Sequence, residues 1–238
     1  MTTRSRLIIV GAGGFGQEVI WAAKNFNAVH PTYDILGYCE DNPTKKGAKI
    51  YGYPVLGTIE DVDNAFTEKP CFVCAIGNNM NRSRVVSRIL ALGWKPVTVI
   101  DPTVVVAEGV TVGDGTYVGA GSIIAPDAHI GHHVIINLNC TIGHNSILRD
   151  FVQVSPGGRI SGGTVLKEGA TLGSNAVVAP NITVGRYATL GACSFALTQV
   201  PDGATVIGIP ARLMARRHEP KSVSTPTDDS RSGDNEPV

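Results

Sequence analysis

Four histidines crowd the middle of the chain: His129, His132, His133 and His144. Imidazole is the side chain that most readily takes and returns a proton near neutral pH. It can serve as general base for a nucleophile or as a metal ligand. Two cysteines, Cys71 and Cys74, form a CxxC. They lie inside the apolar run Cys71-Phe72-Val73-Cys74-Ala75-Ile76, with no second CxxC and no histidine nearby. That context reads as small apolar side chains in a buried strand. A third feature is the turn Gly11-Ala12-Gly13-Gly14-Phe15-Gly16. It follows the apolar run Leu7-Ile8-Ile9-Val10 and precedes a helical stretch from Gln17 to Asn25. Strand, Gly-x-Gly-x-x-Gly and helix is the order that brings backbone close to a phosphate at a helix N-terminus. A tight turn without a ligand is the plainer alternative. No serine or cysteine sits in a nucleophile-elbow context, so the chemistry is expected to run without a covalent enzyme intermediate.

The elements that must hold these residues come from a repeat. From Ile100, every sixth residue is Val, Ile or Leu: Ile100, Val106, Val112, Val118, Ile124, Ile130, Ile136, Ile142, Leu148, Val154, Ile160, Leu166, Leu172, Val178, Val184 and Leu190. The residue four further on is mostly small, as at Thr116, Ser122, Ala128, Cys140, Ser146, Thr164, Ala170, Ala176, Ala188 and Ser194. The residue directly after is often Gly or Asn, as at Gly113, Gly119, Gly131, Asn137, Gly143, Gly173, Gly185 and Gly191. A period of six fits neither a helix nor one long strand. It fits a short strand and a tight turn, with the aliphatic residue inward. Three such units make one coil, so the hexads predict about five stacked coils. The Gly and Asn after each aliphatic residue are expected to supply the positive φ of the corners.

The first part of the chain reads as alternating strand and helix. Leu7–Val10, Ile35–Tyr38 and Phe72–Ile76 are strands, and Arg82–Leu92 is a helix stopped by Gly93. This predicts a small parallel sheet of Rossmann type. The expected division is a Rossmann-like nucleotide-binding domain at 1–97, a β-helix at 98–218 and a disordered polar tail at 219–238. About ninety residues is small for a dinucleotide redox site, so a nucleotide-linked substrate fits the turn better.

Composition narrows the partners. The 20 Lys and Arg balance the 20 Asp and Glu, which gives no basic stripe for nucleic acid. No apolar run reaches the length of a membrane span or of a signal peptide core. Five cysteines without a framework of spacings fit a reducing cytoplasm.

The hexads, the Gly-rich turn, Ile76-Gly77-Asn78-Asn79 with Arg82, the acidic pair Glu40-Asp41 and the closing Ile207-Gly208-Ile209-Pro210-Ala211 together resemble the hexapeptide-repeat sugar O- and N-acetyltransferases. These include sialic acid O-acetyltransferases and nucleotide-amino-sugar N-acetyltransferases. The resemblance covers residues 5 to about 215. It implies an α/β Rossmann-like domain followed by an all-β left-handed parallel β-helix. It also implies a homotrimer that takes acetyl-CoA as co-substrate and a nucleotide-linked sugar as acceptor, with no metal, no nucleic acid and no membrane insertion. The leading expectation is N-acetylation of an amino sugar. Alternatives are O-acetylation of a sugar hydroxyl and a non-catalytic sugar-nucleotide-binding trimer. Zinc-dependent carbonic anhydrases share the β-helix, but the spacing of His129, His132 and His133 does not match their ligand pattern.

Site residues follow from the same resemblance. In the family the catalytic His comes seven residues after an Asn, and Asn137 with His144 match. His144 would be the base, pointing into a cleft between subunits. The family usually places Asp or Glu next; here Asn145 stands, able to accept the Nδ1 hydrogen but not to stabilise imidazolium by charge. Asp150 is the other acid considered for that role. Gly13, Gly14 and Phe15 would meet the substrate nucleotide through backbone, Glu40 or Asp41 its base or ribose, and Asn78, Asn79 and Arg82 its phosphates. Phe15 and Gln153 stand where some relatives carry His, the second near the acyl-CoA. Gly162, Gly173, Ser174, Gly191 and Ala192 would line the CoA groove. Gly143 would offer an oxyanion N–H, and Arg212, Arg216 and Arg217 would meet the CoA phosphates.

Overall fold

The computed structural model describes residues 4–214. The expected tail at 219–238, with Arg216 and Arg217, lies outside the described residues.

The chain opens with an α/β unit. Strand β1 (Ser5–Val10) runs into helix α1 (Gly14–Val29), then β2 (Tyr33–Cys39), a hairpin of β3 (Lys49–Ile50) and β4 (Tyr53–Gly57), and helix α2 (Ile59–Ala65). Strand β5 (Cys71–Cys74), helix α3 (Asn79–Ala91) and β6 (Lys95–Pro96) complete it. The sheet order is β3-β4-β2-β1-β5-β6, parallel except for the hairpin. The chain crosses to opposite sides of β1, so the order reverses between β1 and β5, where open α/β sheets receive ligands. Helix α2 carries a full capping box, with Thr58 and Asp61 satisfying each other's backbone N–H. The hairpin, α2 and β6 did not stand out in the sequence.

From β7 (Val99–Ile100) to β23 (Phe195–Ala196), two-residue strands recur every six residues without interruption. They stack into three parallel sheets, the faces of a left-handed triangular prism. Face 1 carries β7, β10 (Tyr117–Val118), β13 (Ile135–Ile136), β16 (Gln153–Val154), β19 (Thr171–Leu172) and β22 (Thr189–Leu190), and is closed by β24 (Thr205–Ile207) and the antiparallel β25 (Arg212–Leu213). Face 2 runs from β8 (Val105–Val106) to β23, and face 3 from β9 (Thr111–Val112) to β21 (Thr183–Val184). Residues eighteen apart are in register, as Thr141 with Arg159 and Ile142 with Ile160.

The register is the one the hexads predict. The second residue of each strand points inward, and Val118, Ile124, Ile136, Leu166, Leu172, Val178, Val184 and Leu190 are fully buried. The first coil is the exception because no earlier coil covers it: Val106 is 44% exposed, and Ile100 and Val112 are only partly buried. The small residues fill the corners, and their hydroxyls are satisfied there. Thr116, Ser122 and Ser146 donate to the carbonyls of Gly131, Asn137 and Ser161.

The glycines directly after the aliphatic residues behave differently from expectation. Positive φ falls two positions later, at residues such as Gly109, Asp127, Asn145 and Asn181. At Gly113, Gly143 and Gly173 a Cβ would lie within 2.6 Å of the next coil's backbone. Glycine there permits close stacking of coils rather than a left-handed backbone.

The α/β unit packs on face 1. Leu7, Ile9, Val19 and Ile20 share one apolar cluster with Val99, Tyr117 and Ile135 of the first three rows of that face. Phe15 meets Tyr117 edge-on at 5.2 Å. This fixes which edges of the prism stay free.

Candidate active site

His144 stands on the edge between faces 2 and 3, in the turn from β14 (Thr141–Ile142) to β15 (Ile147–Leu148). The turn needs a left-handed residue, and Asn145 takes it at φ 55°. His144 is exposed, with Nδ1 2.9 Å from Asn145 Oδ1. An amide oxygen only accepts, so Nδ1 keeps the proton and Nε2 keeps its lone pair. The ring lies over Gly162 of the next coil, where a Cβ would come 2.5 Å from Nε2. Asp150 does not complete this pair within the chain. It is on the edge between faces 3 and 1 and accepts from His132 N–H at 2.8 Å.

Gly143 does not offer a free N–H, because it donates to Ile160 O at 2.7 Å in the coil ladder. The backbone N–H of Gly162, beside the His144 ring, has no hydrogen bond among the described residues. The same holds for Ser174 and Ala192 on the edge between faces 1 and 2, whereas Gly173 and Gly191 donate into the ladder. The expected CoA-lining residues thus fall on two edges. Gly162 shares one with His144; Gly173, Ser174, Gly191 and Ala192 share the other. Arg212 is exposed on β25 and donates to its neighbour Ala211 O.

A second site opens at the C-terminal ends of β1, β2 and β5. A cavity of about 270 Å³ is lined by Gly11, Ala12, Gly13, Glu40, Asp41, Lys45 and Ile76, over a floor that includes Val10, Ile59 and Val85. The Gly-rich turn divides by role. Gly16 has no room for a Cβ, which would strike Gly11 O, whereas Gly13 and Gly14 face open space. Glu40 is already engaged by Ala12 N–H, Asn42 N–H and Lys45 Nζ, at 3.1–3.2 Å. Burial pushes its carboxyl up, but these donors outweigh it and hold the group below its ordinary value. Asp41 pairs with Arg88 at 2.8 Å. Lys45 escaped the sequence reading, because nothing in its spacing marks it before the loop after β2 folds back.

Three residues expected on phosphates do other work. Asn78 caps α3, accepting from Asn81 N–H. Asn79 is buried and donates through Nδ2 to Gly169 O and Thr171 Oγ1 on face 1. Arg82 is 1% exposed. Its guanidinium donates to Ile76 O and Gly77 O in the α/β unit and to His133 O, Phe151 O and Val152 O in the β-helix. Every Arg82 acceptor is a backbone carbonyl, so Asn79 and Arg82 join the two units with their donors spent on protein oxygens and have none left for a phosphate. Burial lowers the Arg82 pKa to about 10.

Next to this joint, His133 stacks between Phe72 and Phe151 at 6.1 and 5.4 Å, its Nδ1 buried without a partner. Burial first, then the neighbouring His132 and Arg82, push its pKa down to about 4. His129 Nδ1 meets Thr111 Oγ1 at 2.9 Å. Among the described residues no three His, Cys, Asp or Glu side chains gather to hold a metal. Asn137 turns Oδ1 onto Leu138 N–H at 2.7 Å. Gln153 lines a cleft of about 300 Å³ between α3 and face 1, with Gly77, Asn79, Thr171, Tyr187 and Thr189. Asn79 Oδ1 and Gln153 Oε1 are buried there without partners.

Residues 6–89 match the PglD N-terminal domain. GDP-perosamine N-acetyltransferase of Escherichia coli O157:H7 is 32% identical over 156 residues, 63% of this chain and 67% of the relative. The acetyltransferase domain of PglB from Neisseria gonorrhoeae superposes with a TM-score of 0.81 at 31% identity, over 89% of this chain and all of that one. The chain belongs to the hexapeptide-repeat sugar acetyltransferase family. Among the family's solved structures, the PglB domain is also known in complex with acetyl coenzyme A. PerB from Caulobacter crescentus, 27% identical over 90% of this chain and 99% of that one with a TM-score of 0.80, is known in complex with CoA and GDP-perosamine.

Proposed function

We propose that this chain transfers the acetyl group of acetyl-CoA to the amino group of a nucleotide-linked sugar, with His144 as general base. The observation that carries the assignment is the His144 ring, oriented by Asn145, with Nε2 beside the free N–H of Gly162. The likeness to relatives whose complexes hold acetyl coenzyme A, CoA and GDP-perosamine supports the substrate class.

The amine attacks the thioester carbonyl carbon and its departing proton goes to Nε2. The oxyanion that forms is stabilised by the Gly162 N–H, in place of the Gly143 N–H that the ladder consumes. Collapse breaks the C–S bond, and the imidazolium returns the proton to the thiolate. Asn145 holds the tautomer throughout. Gly13 and Gly14 receive the diphosphate at the start of α1, where backbone N–H groups and the helix dipole favour it. Lys45 adds a cation to that cavity.

The reaction needs more than one copy. The α/β unit covers face 1, whereas His144 stands on the edge opposite that face. A homotrimer would set the edge between faces 2 and 3 of one copy against the edge between faces 1 and 2 of the next. The exposed Val105 and Ile123 on face 2 fit such burial.

Thiol release from acetyl-CoA, measured with a panel of nucleotide-linked amino sugars, tests the reading. Turnover that survives His144→Ala at full rate overturns the catalytic assignment. A wild-type protein that binds a sugar nucleotide without turnover is a binding module instead.

A further inference from the structure

Arg82 is a buried cation with no carboxylate beside it, and it contacts neither free edge of the prism. Its acceptors explain why it is there. Ile76 lines the nucleotide cavity and Gly77 the cleft between the units, and both give Arg82 their carbonyls. On the other side, His133, Phe151 and Val152 belong to the turns leading into the face 1 strands β13 (Ile135–Ile136) and β16 (Gln153–Val154). One rigid, five-donor fork therefore fixes the end of β5 against two successive coils. Phe72 of β5, stacked on His133, seats the same contact from the apolar side.

We propose that Arg82 is a positioning residue for acetyl transfer: it sets the reach between the nucleotide anchor in the α/β unit and the acyl groove on the β-helix. This rests on the nucleotide-sugar reading above. The acceptor is held at its nucleotide end by one unit, and the thioester is held by the other. The amine must arrive within bonding approach of the carbonyl carbon. A shift of about 1 Å between the units is enough to cost on the order of a hundredfold in rate. Five carbonyls on both sides of the joint restrict that shift more tightly than apolar packing alone, because hydrogen bonds are directional.

The test is Arg82→Lys, whose three donors on a flexible stem cannot span both sets of carbonyls. Its kcat with a nucleotide-linked amino sugar is expected to fall about thirtyfold or more. The Kd for the free nucleoside diphosphate and the KM for acetyl-CoA should stay within about twofold of wild type. Acetylation of the free amino sugar, which does not use the nucleotide anchor, is expected to be slow in wild type and unchanged in the variant. Phe72→Leu, a gentler change at the same joint, is expected to give the same signature at about threefold.

A tenfold weaker Kd for the nucleoside diphosphate in Arg82→Lys overturns the proposal and returns the residue to phosphate binding. So does an unchanged kcat at a lowered Tm, which marks a purely structural tie. A parallel fall with the free amino sugar means general damage, and also overturns it. If wild type acetylates no nucleotide-linked amino sugar, the proposed function fails first, independently of the variants.

Discussion

At the residue scale the site turns on one substituted position. Asn145 orients His144 as a carboxylate would, through Nδ1 at 2.9 Å, but it brings no charge to the imidazolium. Asn145→Asp keeps a side chain that tolerates the left-handed turn and restores the charge. It should raise kcat by about tenfold, read as thiol release at saturating substrates. A rate at or below wild type would show that Asn145 is not the weak member of the pair. Gly162 is the other critical residue. Gly162→Ala puts a methyl 2.5 Å from the resting position of Nε2, so the ring must swing away. The expected loss is about a hundredfold in kcat with the oligomeric state unchanged, measured alongside sedimentation.

At the element scale the joint between β5, α3 and the β-helix carries an acid sensitivity. His133 is held neutral, with its pKa lowered from the ordinary 6.5 to about 4. The unfolded chain therefore binds a proton there that the folded one refuses. The stability contributed by this site is full above about pH 6.5 and is lost as pH falls towards 4, by at most about 3 kcal/mol. Asp114 and Asp150 oppose the shift in part, while Arg82 and His132 deepen it. His133→Asn keeps a residue suited to the φ of 53° and removes the titration. Its Tm should change less between pH 7 and pH 4.5 than that of wild type. Equal slopes for the two proteins would place the acid sensitivity elsewhere.

At the scale of the whole molecule the arrangement predicts sharing of sites. The nucleotide cavity is on one side of the prism and His144 on the opposite edge. A His144→Ala chain and a chain with Lys45→Glu in the cavity should each be nearly inactive alone. When the two are unfolded and refolded together, mixed forms of the proposed trimer should regain activity at about a quarter of the sites. No recovery would mean that each chain serves its own active site.

The hexad register, the inward aliphatic rows, the Gly-rich turn after β1 and the pairing of His144 with Asn145 were legible in the sequence, because each follows from local period or adjacency. Side chains eighteen residues apart must stack once a strand and a turn take six residues. Other features depend on which surfaces close over one another, and local pattern does not encode that. The sequence marks Asn78, Asn79 and Arg82 as polar residues after a strand, fit for phosphate. Only the docking of the α/β unit on face 1 turns Asn79 and Arg82 inward, onto carbonyls ninety and about fifty to seventy residues away. Period alone likewise cannot separate a glycine needed for its φ from one needed for close approach. The stacked coils decide that at Gly113, Gly143 and Gly173, and the same stacking spends the Gly143 N–H while leaving that of Gly162 free. Local spacing thus determined the scaffold and placed Asn145 beside His144, while the tertiary structure decided which backbone groups remain available for chemistry, since a donor is free only where no neighbouring coil or unit claims it.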